Sequence, residues 1–358
     1  MIKVLGYQFE KREHVNRVWQ AVMTFVALLI AVIITGILII SSGANFGEAI
    51  SGLISGAFGS WKAILETLVK ATPLILTSLA VTLAFRGNIM NIGAEGQLFC
   101  GAMAGYWAAA NFSGMNTTLH IILIVVAGFI GGAICGVIPG LLKGLLKVDE
   151  TIVTVMMNYI VQYLLSFLLS GVWQAPGEHY YLSSPVPDAV FYPYIFPNSR
   201  LHIGFIFAIV AALVVYWLLN KTRLGYEIRA IGLNPVAARF KGIKVSQVIV
   251  ITMLISGGIA GLAGAGEVVG LHHRLRMDIS SGYGFTGIII ALLGGLNPFA
   301  VIVASIFMGG LINGSNSMQI FSHVPSALVD AMQAIVLICL LAFQVLANYR
   351  IRKVKDAD

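Results

Sequence analysis

The stretch FRGNIMNIGAEGQL, residues 85–98, places an arginine, two asparagines, a glutamate and a glutamine between two apolar runs. Gly87, Gly93 and Gly96 interrupt any continuous helix through it. Unwound backbone at membrane depth is tolerated only where it is buried in protein or lines a wet cavity. The stretch therefore predicts a broken helix inside a membrane protein, at a place that either anchors the fold or serves its function.

The composition sets the class of protein. Of the 358 residues, 58% are hydrophobic and 10% are charged, and the mean hydropathy is +0.90. A soluble domain carries about 25% charged residues. The net charge of +7 could indicate a nucleic-acid partner, but the lysines and arginines fall in a few loops between apolar runs, so we expect no nucleic acid. The three cysteines form no metal-binding spacing, so we expect no metal site.

The apolar runs predict an all-α polytopic membrane protein with about ten transmembrane helices, some of them broken or re-entrant. Residues 284–315 form one apolar stretch that is interrupted at LLGGLNPFA, 293–300, and so divides into two short or discontinuous helices. The predicted spans lie near 20–41, 70–86, 92–112, 118–140, 151–172, 201–220, 247–269, 284–296, 299–315 and 326–348.

The distribution of basic residues predicts the orientation of the chain. With alternating spans and the N-terminus inside, 17 lysines and arginines lie on the inner side and 5 on the outer side. This is the asymmetry that the positive-inside rule expects. We therefore expect a cytoplasmic segment 1–19, a single transmembrane domain 20–348 with a basic inner loop 221–246, and a cytoplasmic tail 349–358.

Four further segments support a structural prediction. WKAILETLVKA, 61–71, has the pattern of a short amphipathic helix on the outer surface, and 173–200, with five prolines, forms the longest outer loop. The segments 87–105 and 280–295 are both broken by glycine, polar at their start and apolar afterwards. Such a pair can mark an inverted repeat around a central site, and the sequence leaves open whether it does so here.

Several polar residues lie within predicted spans, where they are costly and are functional candidates by default. Asn91 could cap a helix that begins after the break, and Glu95 would then lie near the positive end of the helix dipole. Asn91, Glu95, Gln97 and Glu267 could line a translocation path. They could equally be interhelical anchors that fix the fold.

The fifth span carries a polar row at steps of four residues: Thr154, Asn158, Gln162, Ser166 and Ser170. Such a row winds slowly round the helix because an α-helix has 3.6 residues per turn. A row across a whole span suits the path of a hydrogen-bonding solute, and we favour that interpretation. The alternative is interhelical bonding, at about 0.6 kcal/mol per contact.

No enzymatic motif is present in the sequence. It contains no Gly-Lys dipeptide and hence no P-loop, and neither H-E-x-x-H nor G-x-S-x-G occurs. A membrane enzyme would need a nucleophile with its base, or a metal centre. We therefore expect a transporter and not an enzyme.

The inner loop contains RLGYEIRAIGLNPVAARFKGIKV, 223–245, which predicts a short helix. Asn234 suits the N-cap, Pro235 the first helical position and Gly242 the C-terminal stop. A helix of about seven residues is not stable alone in water, so it must be braced by packing. Its adjacent alanines predict a smooth face that another protein could approach closely.

Four segments together resemble one family over most of the chain, from about residue 70 to 345. They are MNIGAEGQL (90–98), VDETIVTVMMNYI (148–160), AIGLNPVAARFKGI (230–243) and GYGFTGIIIALLGGLNP (282–298). They are similar to the permeases of ABC importers in the branched-chain amino acid and simple-sugar family, in particular its nucleoside and simple-sugar members. Met90 stands where this family often has Phe, and Cys100 where it usually has a small or aliphatic residue.

The resemblance implies an importer of nucleosides or simple sugars in the cytoplasmic membrane of a bacterium or archaeon. Its expected partners are a second, identical or similar permease, two ABC ATPase domains and an extracytoplasmic binding protein or lipoprotein. ATP and magnesium would be bound by the ATPase, and this chain would hold no cofactor. An ion-coupled secondary transporter or channel is the alternative. The resemblance assigns ATPase coupling to Gly232, Asn234, Pro235, Ala237, Ala238 and Gly242.

Overall fold

The computed structural model describes residues 2–4, 7–11, 17–112, 114–177, 180–322 and 324–353. Helices dominate these residues. In chain order they are α1 (Arg17–Ser41), α2 (Phe46–Phe58), α3 (Trp61–Arg86), α4 (Ala94–Asn111), α5 (Thr117–Leu146), α6 (Glu150–Leu169), α7 (Gly204–Lys221), α8 (Arg223–Leu233), α9 (Pro235–Phe240), α10 (Val245–Gly266), α11 (Tyr283–Leu293), α12 (Pro298–Ser322) and α13 (Ser326–Asn348). A 3-10 turn, Asp188–Val190, and a π-helix, Glu267–His272, complete them.

Each of the ten predicted spans corresponds to a helix, so the helical membrane fold is confirmed. Within the described residues, eight helices are long and apolar enough to cross a membrane. The two predicted spans outside that set are α4 and α11, with 18 and 11 residues. Both begin directly after a glycine-rich break. Short helices that start at such breaks agree with the prediction of broken or re-entrant elements.

The described residues form two compact units. One comprises Met1–Gly59 with Leu311–Asp358, and its core contains Ile39, Ala49 and Met318. In this unit β1 (Ile2–Val4), β2 (Tyr7–Lys11) and β3 (Tyr349–Lys353) form an antiparallel sheet in that order. Because β2 pairs with β3, the two terminal segments lie at the same end of the unit. That this end is cytoplasmic stays a prediction, and 1–19 and 349–358 lie partly outside the described residues.

The second unit, Ser60–Gly310, holds helices α3 to α11 and the beginning of α12. Its tightest packing joins α5 to α10 through glycines spaced four residues apart. A Cβ on Gly132 would lie 2.2 Å from the Gly257 carbonyl oxygen, and one on Gly261 would lie 2.3 Å from that of Gly128. Only glycine allows two helix backbones to approach this closely. The glycine spacing in the sequence is therefore explained by packing.

The prediction of a separate surface helix at 61–71 is wrong. These residues are the first turns of α3, which continues without interruption to Arg86. Thr67, Val69 and Ala71 are buried within it, so the segment is not an amphipathic surface helix. Lys62 and Lys70 gave the segment its amphipathic pattern, but they are isolated charges on a helix that packs against α7 and α11.

Candidate functional site

The helix break that the sequence predicted lies between the end of α3 at Arg86 and the start of α4 at Ala94. Asn88 adopts a left-handed conformation, with φ of +54°, which asparagine tolerates better than most residues. The Ile89 amide then bonds back to the Ala84 carbonyl at 3.1 Å. The intervening residues 87–93 form an irregular segment, which we call the broken segment.

Helix α6 holds the broken segment through two members of its polar row. The Asn158 side-chain Oδ1 accepts the Gly96 N–H at 2.8 Å, and its Nδ2 donates to the Ile92 carbonyl at 3.0 Å. The Thr154 hydroxyl oxygen accepts the Ile92 N–H at 3.3 Å. Asn158 thus satisfies a donor and an acceptor that the helix break would otherwise leave unpaired in a buried place. Both side chains are buried.

Glu150 extends this row by one step of four residues, and sequence reasoning did not select it. Its Oε1 accepts the Met90 N–H at 3.3 Å, and its Oε2 pairs with Lys143 Nζ at 2.6 Å. The carboxylate is buried and bridges α5, α6 and the broken segment. The sequence signal for Glu150 is its four-residue spacing to Thr154, which continues the polar row beyond the apolar span.

Asn91 and Gln97 form a reciprocal amide pair. Asn91 Nδ2 donates to Gln97 Oε1 at 3.0 Å, and Gln97 Nε2 donates to Asn91 Oδ1 at 3.1 Å. Asn91 Nδ2 also donates to Ser256 Oγ at 2.9 Å, and Ser256 Oγ donates to the Ala80 carbonyl at 2.7 Å. The network ties the broken segment to α10 and α3. Sequence reasoning missed Ser256 because its partners lie far away in the chain.

The prediction that Asn91 caps α4 is wrong, because the N-cap position belongs to Gly93 and has no side-chain cap bond. Asn91 Oδ1 accepts the Gly93 N–H at 3.0 Å instead, which stabilises the turn before the helix. An asparagine side chain that bonds to its own backbone two residues on is an Asx-turn. The residue thus shapes the entry into α4 rather than its first turn.

Glu95 connects the starts of two helices. It is the second residue of α4, and its Oε2 accepts the Gly284 N–H, in the first turn of α11, at 2.6 Å. The two backbones meet closely there, since a Cβ on Gly284 would lie 2.2 Å from the Glu95 nitrogen. A carboxylate beside two helix N-termini is stabilised by both dipoles. This explains how a buried acid is tolerated at this point.

The remaining path candidates lie elsewhere. Gln162 is partly exposed and makes no hydrogen bond to any described residue. In this part of α6 the buried positions are Val161 and Leu165. Glu267 is buried on the π-helix, and its Oε2 lies 3.5 Å from His272 Nε2 without hydrogen-bond geometry. The structure therefore brings together Asn91, Glu95, Gln97, Thr154 and Asn158, and leaves Gln162 and Glu267 apart from them.

The predicted short helix of the inner loop is confirmed as α9, which follows α8 directly. Asn234 Oδ1 accepts the Val236 N–H at 2.9 Å and the Ala237 N–H at 3.0 Å. Pro235 occupies the first turn, and Gly242 takes a φ of +81° after the helix. The three terminus signals in the sequence therefore act as predicted.

The expected smooth face with both alanines is wrong in one part. Ala237 is exposed, whereas Ala238 is 3% exposed and faces inward. Large apolar side chains are exposed on α9 and at the end of α8 instead: Phe240 is 89% exposed and Val236 is exposed on α9, and Leu233, the last residue of α8, is 90% exposed. Exposed apolar clusters of this kind are typical of surfaces that contact another protein or a membrane. Adjacent residues of a six-residue helix cannot share one face, which explains the error.

The inner loop packs directly on the end of α3. A Cβ on Gly232 would lie 2.2 Å from the Arg86 carbonyl oxygen, so α8 touches the residue that precedes the broken segment. Arg86 Nε also donates to the Leu296 carbonyl at 2.9 Å, in the turn before α12. The short helix α9 is thus connected to the helix break through one layer of contacts.

The model of the family described as branched-chain amino acid transport system / permease component matches residues 63–341. The chain belongs to this family of ABC transporter permeases. It is a multi-pass membrane subunit and not an enzyme, and membership supports an ATP-driven importer over the ion-coupled alternative.

Three relatives match this permease along most of its length. It is 36% identical to a guanosine ABC transporter permease protein of Bacillus subtilis over 331 residues, which cover 90% of this chain and 94% of that protein. It is 33% identical to a glucose ABC transporter permease protein of Haloferax volcanii, over 90% and 88%. It is 30% identical to a nucleoside ABC transporter permease protein of Lactococcus lactis, over 90% and 91%.

Proposed function

We propose that this permease imports nucleosides across the cytoplasmic membrane of a bacterium or archaeon, with simple sugars as the second candidate substrates. The observation that carries the proposal is the similarity over nine tenths of the chain to a guanosine permease, joined by a nucleoside permease. A glucose permease of comparable similarity keeps sugars as the alternative. Both kinds of solute are uncharged and rich in hydrogen-bonding groups, which suits the polar residues of the second unit.

We further propose that α9 and its flanks are the docking surface for a separate ATPase, which binds the ATP and magnesium. The exposed side chains of Leu233, Val236 and Phe240 supply an apolar contact area. Beside them a cleft of about 340 Å³ between α8 and α9 contains Arg229 and Lys241. These two cationic side chains would suit an acidic side chain on the ATPase surface.

The contacts of α8 supply a route from that surface to the helix break. Motion of α9 would move α8, and Gly232 of α8 rests on the Arg86 carbonyl at the end of α3. The polar network around Asn91 and Asn158 holds the broken segment on the other side. Whether these side chains also line the substrate path stays a prediction, since their described hydrogen bonds go to the protein itself. They would have to exchange those bonds to contact a solute.

The remaining partners are part of the same proposal. A second permease, identical or similar to this one, would complete the translocation pathway. A pair of ABC ATPase domains would drive it, and an extracytoplasmic binding protein or lipoprotein would deliver the solute. The family assignment supports ATPase and binding-protein partners in general.

The test is uptake in the native host after deletion of the gene, with radiolabelled guanosine and radiolabelled glucose as separate substrates. We expect guanosine uptake to fall to background and to return with the wild-type gene, while glucose uptake is unchanged. Loss of glucose uptake alone would overturn the nucleoside assignment and favour a sugar.

The docking surface is tested separately with Phe240→Asp, for which Phe240→Leu is the matched control. The aspartate should abolish uptake while the protein level in the membrane stays normal, because it places a charge in an apolar contact. The leucine keeps an apolar side chain and should retain uptake. Equal uptake by both variants would argue against docking at α9.

A further inference from the structure

A small enclosed cavity lies on the side of the second unit where α10 passes into the π-helix. It has about 10 Å³ of space for the centre of a water molecule, which is room for one water. Most of its wall is apolar, but two ionisable side chains and one phenol contribute to it. The polar side chains that line it belong to Thr72, Tyr192, His202 and Glu267.

The geometry of His202 fixes which of its nitrogens carries the proton. Nδ1 accepts the Gly204 N–H at 3.1 Å, so the neutral ring carries its hydrogen on Nε2. Burial lowers the pKa of His202, which keeps the imidazole neutral near pH 7. The ring is fitted between two glycines, since a Cβ on Gly204 would lie 2.5 Å from it and one on Gly270 would lie 2.7 Å from it. Nε2 is buried and has no partner among the described residues.

Glu267 presents the complementary atom. Its Oε2 is also buried and has no hydrogen-bond partner among the described residues, although His272 Nε2 is 3.5 Å away. The one-residue expansion of a π-helix often occurs at functional positions, and Glu267 is its first residue here. His202 and Glu267 line the same water-sized space, and each carries a buried polar atom that has no partner among the described residues. Tyr192 lines it too, and its hydroxyl can serve as a third partner.

We propose that this cavity binds one ordered water molecule, which accepts a hydrogen bond from His202 Nε2–H and donates one to Glu267 Oε2. Leaving both groups unsatisfied would be unfavourable, whereas one water with two or three polar partners removes that cost. The site is thus a water-mediated bridge between His202, two residues before α7, and the first turn of the π-helix.

The bridge fastens residues 183–203 onto the backbone that follows α10. The same two stretches are already joined by the Val186 N–H to the His273 carbonyl at 2.9 Å and by the Tyr192 N–H to the Val269 carbonyl at 3.3 Å. The Phe191 and His273 rings stack with centroids 3.7 Å apart. Resting on the proposed import function, we infer that these contacts form an outer closure, of which the water-mediated bridge is the buried part.

The first experiment detects the water directly in the purified full-length chain by X-ray radiolytic labelling. This method oxidises side chains that lie next to bound water. Tyr192 should be labelled although it is only 2% exposed, and the comparably buried Tyr106, which does not line the cavity, should not be. Equal labelling of both tyrosines would overturn the water site.

The second experiment measures hydrogen exchange of the Tyr192 amide in a double-variant cycle. His202→Phe and Glu267→Leu should each speed exchange by about tenfold, since each removes one partner of a buried hydrogen-bonded bridge. The double variant should be no faster than either single variant, because both break the same bridge. Rates that multiply in the double variant would show that the two residues act separately and would overturn the bridge.

Two further variants serve as controls. Glu267→Gln keeps an oxygen in the cavity and should change exchange by less than about twofold. His120→Phe removes another buried imidazole, which bonds to the Ala108 carbonyl at 3.0 Å, and should leave exchange at Tyr192 unchanged. Faster exchange in the His120 variant would mean that the cycle reports general destabilisation, and would remove the support for the bridge. None of these measurements needs transport, so the bridge and the import function can fail independently.

Discussion

The replacement Asn158→Ala tests whether the polar row of α6 anchors the helix break or lines a solute path. The side chain is 2% exposed and bonds to the Gly96 N–H and to the Ile92 carbonyl. Alanine leaves both backbone groups buried and unpaired, at a cost of about 1–3 kcal/mol each. The expected loss of stability is therefore about 2–6 kcal/mol. Gln162→Ala, four residues further on, should cost less than about 0.5 kcal/mol, because this side chain is partly exposed.

The melting temperature can be followed with a thiol-reactive fluorophore in a Cys100→Ala, Cys339→Ala background, because the remaining Cys135 is buried in the second unit whereas Cys100 is partly exposed. A loss of about 2 kcal/mol corresponds to a decrease of about 4 °C or more, at about 2 °C per kcal/mol. Asn158→Asp retains an acceptor for the Gly96 N–H but loses the donor to Ile92, so it should melt between the wild type and the alanine variant.

The anchor interpretation predicts that Asn158→Ala loses more stability than Gln162→Ala, and melting and uptake measurements together can refute it. If Asn158→Ala melts like the wild type but no longer supports uptake, the side chain contacts the solute and not the broken segment. The same conclusion follows if Gln162→Ala and Asn158→Ala reduce uptake equally without a change in melting temperature.

Three further predictions follow from the packing. Ala237→Arg should fold normally and lose uptake, because Ala237 is exposed on α9. Ala238→Arg should lower the amount of folded protein, because Ala238 is buried. Equal folded yields of the two variants would contradict this prediction. Gly257→Leu should prevent folding, as judged by size-exclusion chromatography, since even a Cβ there would lie 2.4 Å from a carbonyl oxygen of α5. Leu182 and Arg276 form an isolated antiparallel β-bridge, so cysteines at these two positions are close enough to form a disulfide. Oxidation of this double variant should block uptake until a reductant is added. Unchanged uptake would argue against movement of the outer closure.

The sequence predicted well those features that depend on neighbouring residues. The break at 87–93 follows from its glycines, and α9 follows from the Asn-Pro start and the glycine after its end. Both are decided within a few residues by backbone preference and local hydrogen bonds. Hydrophobic length likewise located a helix at each of the ten predicted spans, and eight of the described helices are long and apolar enough to cross a membrane.

The misinterpreted features depend on contacts between distant residues. Asn91 resembles a helix cap in the sequence, but its partners include Ser256 on α10. Glu150 resembles a loop residue at a helix start, yet it holds Met90, which is 60 residues away. Spacing along one helix places such residues on a common face, but it does not reveal which element packs against that face.

The same contacts change what the polar residues imply about transport. Glu95 joins the starts of α4 and α11, and Asn158 joins α6 to the segment before α4. Two short helices that begin at glycine breaks and meet at their N-termini agree with the repeat-like pair in the sequence. The hydrogen bonds fix these starts relative to α3, on which the inner loop rests through Gly232. If the inner loop is displaced, either the whole hydrogen-bonded group moves with it or some of these hydrogen bonds break. In the second case the polar atoms released from those bonds would become available to the solute.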